Sequence, residues 1–288
     1  MPNQSFHAET IAHLLDYKSR NAELSGLAAG TYNYQGSLID YPHILPWESR
    51  FLNFLPEYRP ELTALVESCP NKLNQYFHHL NSSQAMCLNF FLPLQLEKKL
   101  EWVLEILDFP DETIDYQTAC FEKDGIDGCH EKGWRSTSFD YYFETTTGKK
   151  FYFEIKYTED RFGTKPEKER NESMEKFETI YLPLLKETIR PECLVPELFF
   201  DNYQIMRNLC HLRSDSYVVF LYPMGNWSIG DDAESVNDKF LLPEYHDHFR
   251  TYSWGLVCGH LKHKALTQSK LHRQIEAFIE KYFPTRKR

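Results

Sequence analysis

The chain has 288 residues, 42% of them hydrophobic and 15% aromatic, and a formal net charge of −10. That composition supplies a sizeable core and excludes a disordered chain. The acidic balance excludes a protein that coats nucleic acid by overall positive charge, though not one with a local basic groove.

Seven scattered cysteines, none in a CxxC pair, fit a reduced interior. The N-terminus, MPNQSFHAET, lacks a secretory pattern, and no stretch approaches the roughly 20 apolar residues that span a bilayer. A cytoplasmic, soluble protein with no membrane contact is expected.

Ile11, Leu14 and Leu15 predict a helix over 6–18. Residues 26–60, rich in Gly, Pro and aromatics, read as an extended arm anchored by a short helix at Trp47, Phe51, Phe54 and Leu55. A helix or helical pair over 60–80 breaks at Pro70. The next helical stretch, 81–109, is capped by Ser82 or Ser83 and kinked or restarted at Pro93. Its Glu97, Glu101 and Glu105 form a stripe that is either a solvated face or, through Glu97, a reach toward a metal site.

A strand is predicted over 115–123, followed by the Gly- and acid-rich loop DGIDGCHEKGW, whose spacing fits neither an EF-hand nor a zinc site. Helices follow over 165–189 and 198–212. SYVVFLY (216–222) is a central buried strand. The stretch 226–247 reads as an acidic loop, 254–258 as a strand, and 265–283 as an amphipathic helix. The fold class is α/β, a central mixed sheet flanked by helices: residues 1–75 form a helical or extended arm packed on a domain of residues 76–288.

Chemistry concentrates in STSFDYYFETTTGKKFYFEIK, residues 136–156. Alternation predicts a hairpin with Phe139, Tyr141 and Phe143 on one face, and Phe151, Phe153 and Ile155 together on the second strand. A three-residue loop closed by Gly148 in a left-handed conformation puts Asp140 opposite Glu154, with Lys156 projecting beside Glu154. Two carboxylates and an ammonium suit phosphodiester hydrolysis. Asp140, Glu154 and the Ile155 carbonyl offer oxygens to a hard cation, Mg²⁺ or Mn²⁺, with Glu97 as a further ligand. Lys156 orients or deprotonates the attacking water, or stabilises developing charge.

Asp140 with Glu154-Ile155-Lys156, set in a helix–strand–strand–strand–helix–strand order, resembles the PD-(D/E)XK nuclease superfamily. Phe139 stands where that signature has proline. SSQAMCLNFFLPL (82–94) and YQIMRNLCHL (203–212) are similar to segments of its bacterial restriction-endonuclease-like branch. The resemblance covers roughly residues 75–225. It implies a restriction-endonuclease-like core and a Mg²⁺-dependent endonuclease acting on DNA, with Asp140 and Glu154 as metal ligands and Lys156 as catalytic lysine.

Further candidates for nucleic-acid contact are Ser83 and Gln84 at a helix start, Gln204 and Arg207 on a later helix, and Lys149, Lys150, Arg161, Lys165 and Lys168 as a local basic rim. Tyr157 and Trp134 are candidates for base stacking. Cutting both strands calls for a homodimer. Other hydrolase classes lack their motifs: there is no GxSxG, P-loop or GxGxxG, and His246 and His248 lack a third ligand. The competing function is a catalytically inactive nuclease-fold module that binds nucleic acid or protein.

Overall fold

A computed structural model of the chain describes residues 5–69, 76–126 and 136–284. In chain order the elements are α1 (Phe6–Arg20), β1 (Gly30–Tyr34), β2 (Ser37–Tyr41), α2 (Arg59–Ser68), α3 (Ser83–Leu96), α4 (Glu101–Ile106), β3 (Ile114–Asp124), β4 (Ser138–Thr145) and β5 (Lys150–Ile155). They continue as α5 (Glu167–Lys176), α6 (Leu182–Leu185), α7 (Pro196–Asp201), α8 (Tyr203–Leu209), β6 (Ser216–Tyr222), α9 (Trp227–Glu234), α10 (Val236–Lys239), β7 (Phe249–Ser253), α11 (Trp254–Lys264) and α12 (Ser269–Tyr282).

The chain folds as two compact units. The first comprises Met1–Pro110, Ile155–Thr158 and Trp254–Arg288, and the second Asp111–Glu154 and Glu159–Ser253. This differs from the boundary near residue 75 read from the sequence. The reason is that α3 and the C-terminal α12 share one apolar core, in which Phe90 packs at 4.8 Å from Trp254 and 5.5 Å from Phe278.

In the first unit α3 runs through Pro93 without the expected break. A proline inside a helix removes the N–H that would bond the carbonyl four residues earlier, here that of Asn89. Gln274 Nε2 donates to that carbonyl at 2.8 Å, so the freed acceptor is satisfied from α12. The helix stops three residues beyond the proline, and Lys98 takes a left-handed conformation at φ 54° before α4. The arm read as extended contains the β1–β2 hairpin and a 3-10 turn over Trp47–Asn53, so the anchoring helix falls where expected.

The second unit carries a five-stranded mixed sheet, order β3-β4-β5-β6-β7, with β3–β4 and β4–β5 antiparallel and β6–β7 parallel. β6 is buried along its whole length, as its unbroken apolar run requires. Helices cover a face of the sheet through a core of Tyr142, Tyr152, Phe199, Met206, Leu209 and Phe220, among others. Two readings are corrected. Residues 226–247 are largely helical, because Ile229, Ala233 and Val236 point into that core at helical spacing. Residues 254–258 begin α11, and the strand expected there is β7, one segment earlier.

Gln274→Ala leaves the Asn89 carbonyl without its donor and is expected to cost about 1–3 kcal/mol of unfolding free energy in urea titrations. Adding Pro93→Ala, which restores a helical N–H beneath that carbonyl, is expected to shrink the loss.

Candidate active site

Turn chemistry fixes the hairpin. Gly148 sits at φ 90°, a region costly for other residues, and closes the loop with Gly148 N–H donating to Thr145 O at 2.9 Å and Thr145 N–H donating to Lys149 O at 2.8 Å. The expected three-residue loop is therefore present. From it the register runs Glu144↔Lys150, Phe143↔Phe151, Tyr142↔Tyr152 and Tyr141↔Phe153. The ladder ends at Tyr141↔Phe153, one residue short of Asp140 and of Glu154.

Tyr141, Phe143, Phe151 and Phe153 pack together as alternation predicts. Phe139 does not join them. Its ring lies 4.9 Å from Tyr152 and 4.8 Å from His211, filling space at the strand entrance where the β4–β5 ladder has already ended.

Glu154 is buried, with 6% of its surface exposed, and an uncompensated buried carboxylate would be costly. Two amides meet it. Gln204 Nε2 donates to Oε1 at 2.7 Å and Asn208 Nδ2 donates to Oε2 at 3.2 Å. Both come from α8, four residues apart and so on one helix face. Gln204 Oε1 in turn accepts Gly163 N–H at 3.0 Å, which leaves its amide nitrogen to face the carboxylate. Asp140 is half-buried in the strand opposite.

From the sequence Gln204 is singled out as a candidate for nucleic-acid contact, and its side chain bonds Glu154 and Gly163. Asn208 is not singled out, although the Gln-x-x-x-Asn spacing at 204–208 carried the signal. Asn208 is itself 1% exposed, and its Oδ1 accepts no hydrogen bond among the described residues.

The remaining sequence candidates fall elsewhere or are otherwise engaged. Lys156 is buried, two residues beyond Glu154 along the chain, in the segment Ile155–Thr158 that belongs to the first unit. Tyr157 in that segment is no base-stacking residue. It is wholly buried and its hydroxyl donates to Tyr282 O at 3.0 Å. Glu97, at the C-terminal end of α3, accepts a hydrogen bond from Tyr58 at 2.7 Å. Ser82 caps α3 by accepting Ala85 N–H, which leaves Ser83 and Gln84 in the first turn of that helix, in the first unit.

The basic rim is largely neutralised. Lys149 pairs with Glu112 at 2.5 Å, which raises its pKa, and it sits at the turn, roughly 16 Å of strand away from Glu154. Lys150 pairs with Asp215 and Lys165 with Glu169. Arg207 places its guanidinium over Tyr203 at 5.2 Å. Arg161 and Lys168 are exposed. Trp134, Cys129 and His130 lie outside the described residues.

Carboxylate and amide oxygens are the donor types a hard cation of the magnesium type takes. Among the described residues no three acidic, His or Cys groups cluster to hold a metal. Mg²⁺ is ordinarily held by one or two carboxylates with the rest of its shell from water and neutral oxygens. Asp140, Glu154 and the orphaned Asn208 Oδ1 are donors of that kind.

One family model matches the chain, that of the restriction endonuclease associating with ARP, over residues 11–283. No curated protein matches, and no solved structure matches.

Replacing Gln204 by Ala removes a donor from Glu154 and an acceptor from Gly163, and is expected to lower stability in denaturant titrations by about 1–3 kcal/mol. Gln204→Glu is expected to cost more, because it sets a second carboxylate against the first.

Proposed function

The chain belongs to the family of the restriction endonuclease associating with ARP, and from that membership we propose that it is a divalent-cation-dependent endonuclease that hydrolyses phosphodiester bonds in DNA at Asp140, Glu154 and Lys156. The observation that carries the reading is the buried Glu154 carboxylate, held at both oxygens by Gln204 and Asn208, with Asp140 half-buried on the neighbouring strand β4.

Phosphodiester hydrolysis requires that charge on the phosphate be neutralised, that a water be activated and that the leaving oxygen be stabilised. A bound Mg²⁺ or Mn²⁺ supplies the first and assists the others. Asp140 and Glu154 hold it, with the Ile155 carbonyl as a further oxygen. Gln204 and Asn208 keep the Glu154 carboxylate from rotating, which fixes its orientation. Lys156 orients the attacking water or takes its proton, and its ammonium offsets charge developing on the phosphate.

A second reading, a nuclease-fold module without activity, draws on the net charge of −10 and on the pairing of Lys149, Lys150 and Lys165. The family is also described by its association with a second component, ARP. On that reading this chain works beside a partner of the ARP type.

Purified protein with Mg²⁺ or Mn²⁺ is expected to nick or linearise supercoiled plasmid. Glu154→Ala and Lys156→Ala are each expected to slow this by about a hundred-fold or more. Calorimetry should show cation binding lost in Glu154→Ala and kept in Lys156→Ala. Cation binding with no cutting of DNA would move the substrate to RNA, and neither binding nor cutting would favour the module.

A further inference from the structure

The first unit contains a cavity of about 550 Å³ that none of the chemistry above uses. It lies between the start of β1 and the turn that begins at Trp47, and its volume falls within the range of small-ligand sites. Three aromatic side chains, Tyr32, Trp47 and Tyr76, line it together with Asn33, Glu48 and His78. Trp47 is 52% exposed and Tyr76 37% exposed, so two large aromatic surfaces face solvent at a concave place.

These rings are held in position rather than loosely displayed. Tyr32 meets Tyr76 and His79 edge-on, each at 5.5 Å, and Trp47 stands edge-on to His78 at 5.4 Å. The backbone around them is pinned by Gly30 N–H donating to Ile44 O at 2.8 Å and Leu45 N–H donating to His78 O at 3.1 Å. Gly30 permits that approach, since a Cβ there would fall 2.4 Å from Leu45 O.

The lining selects the ligand class. Among the described residues no Lys or Arg lines the cavity, and the Glu48 carboxylate on its wall disfavours phosphate or carboxylate groups. The Arg50 guanidinium already stands over the Trp47 ring at 4.7 Å, and its charge opposes a cationic ligand at the same indole. What remains is an uncharged planar ring. Such a ring gains by stacking on aromatic faces, and an exocyclic amino group on it would find an acceptor in the Glu48 carboxylate.

We infer that this cavity binds a single unstacked nucleobase, with Trp47 and Tyr76 as stacking surfaces and Glu48 as acceptor for an amino group on the base. The inference does not rest on the cleavage reading. It requires only that a base be presented free of its helix, as in a single strand or a free nucleoside.

The test is fluorescence of 2-aminopurine, whose emission falls when the base stacks, titrated without divalent cation against the full chain. Two probes separate the sources: 2-aminopurine deoxyriboside, and a single-stranded oligonucleotide carrying 2-aminopurine. Saturable quenching of either probe is expected. Quenching of both points to a free nucleoside or nucleotide, and of the oligonucleotide alone to a nucleic-acid strand.

Trp47→Ala and Tyr76→Ala are expected to weaken binding roughly 5- to 150-fold, whereas Trp47→Phe, which keeps a ring, retains most of it. Glu48→Gln is expected to reduce the advantage of amino-bearing bases over thymidine in competition. No quenching of either probe, or equal quenching by a Trp47→Ala variant whose thermal unfolding matches the parent, overturns the inference. Loss of plasmid cleavage plays no part in the decision.

Discussion

The antiparallel register of β4 and β5 decides which side chains stand across from one another at the candidate site. A slip of one residue would carry Glu154 to the opposite face of the sheet and bring an aromatic residue in its place. The register is set from the turn, where Gly148 adopts φ 90° and the Thr145 and Lys149 backbones close three residues of loop. It is then locked by the aromatic pairs Phe143–Phe151 and Tyr142–Tyr152 at 5.2 and 4.7 Å. Asp140 lies on β4 one residue beyond the last pair of that ladder.

A second constraint acts on Glu154 from α8. Gln204 is held by Gly163, and Gln204 and Asn208 between them hold one carboxylate at two points. The arrangement is a small case of a general requirement: a reactive group must be oriented by neighbours that are themselves fixed.

The first unit solves its own buried-polar problem in a similar way. Asn53, Asn89, Gln274, Lys281 and Tyr282 are joined by hydrogen bonds to one another and to the surrounding backbone, while Gln274 Oε1 accepts none among the described residues. Burial holds the Lys281 amine well below its usual pKa, and that amine donates to Asn53 Oδ1 at 2.6 Å. Tyr157 enters the same network through Tyr282, which is why the residue after Lys156 is structural and not a surface for bases.

The distribution of charge qualifies how such a chain would hold nucleic acid. Much of its local positive charge is spent within the fold: Lys149 on Glu112, Lys150 on Asp215, Lys165 on Glu169 and Arg170 on Asp201. Exposed pairs of this kind contribute little to stability, but they do lower the field available to a phosphate backbone. Recognition that leans on rings and neutral donors suits an acidic chain better than recognition by a wide basic surface.

Period-two alternation, the Thr-Gly turn and the Glu-x-Lys spacing placed β4, β5, Asp140 and Glu154 from the sequence alone, because each depends on neighbours within about fifteen residues. The unbroken apolar run of β6 and the amphipathic stripe of α12 were legible for the same reason. Tertiary structure alone decided the rest. Pro93 stays within a helix because Gln274, distant in sequence, takes over the released carbonyl. Phe139 leaves its expected face because the ladder ends before it and His211 offers a surface. The helices over 226–247 form around a core whose apolar residues are too sparse in that stretch to announce a period. The split into two units, in which the C-terminal helices and the segment Ile155–Thr158 join the N-terminal residues, depends on packing between residues far apart in the chain, and no local pattern encodes that.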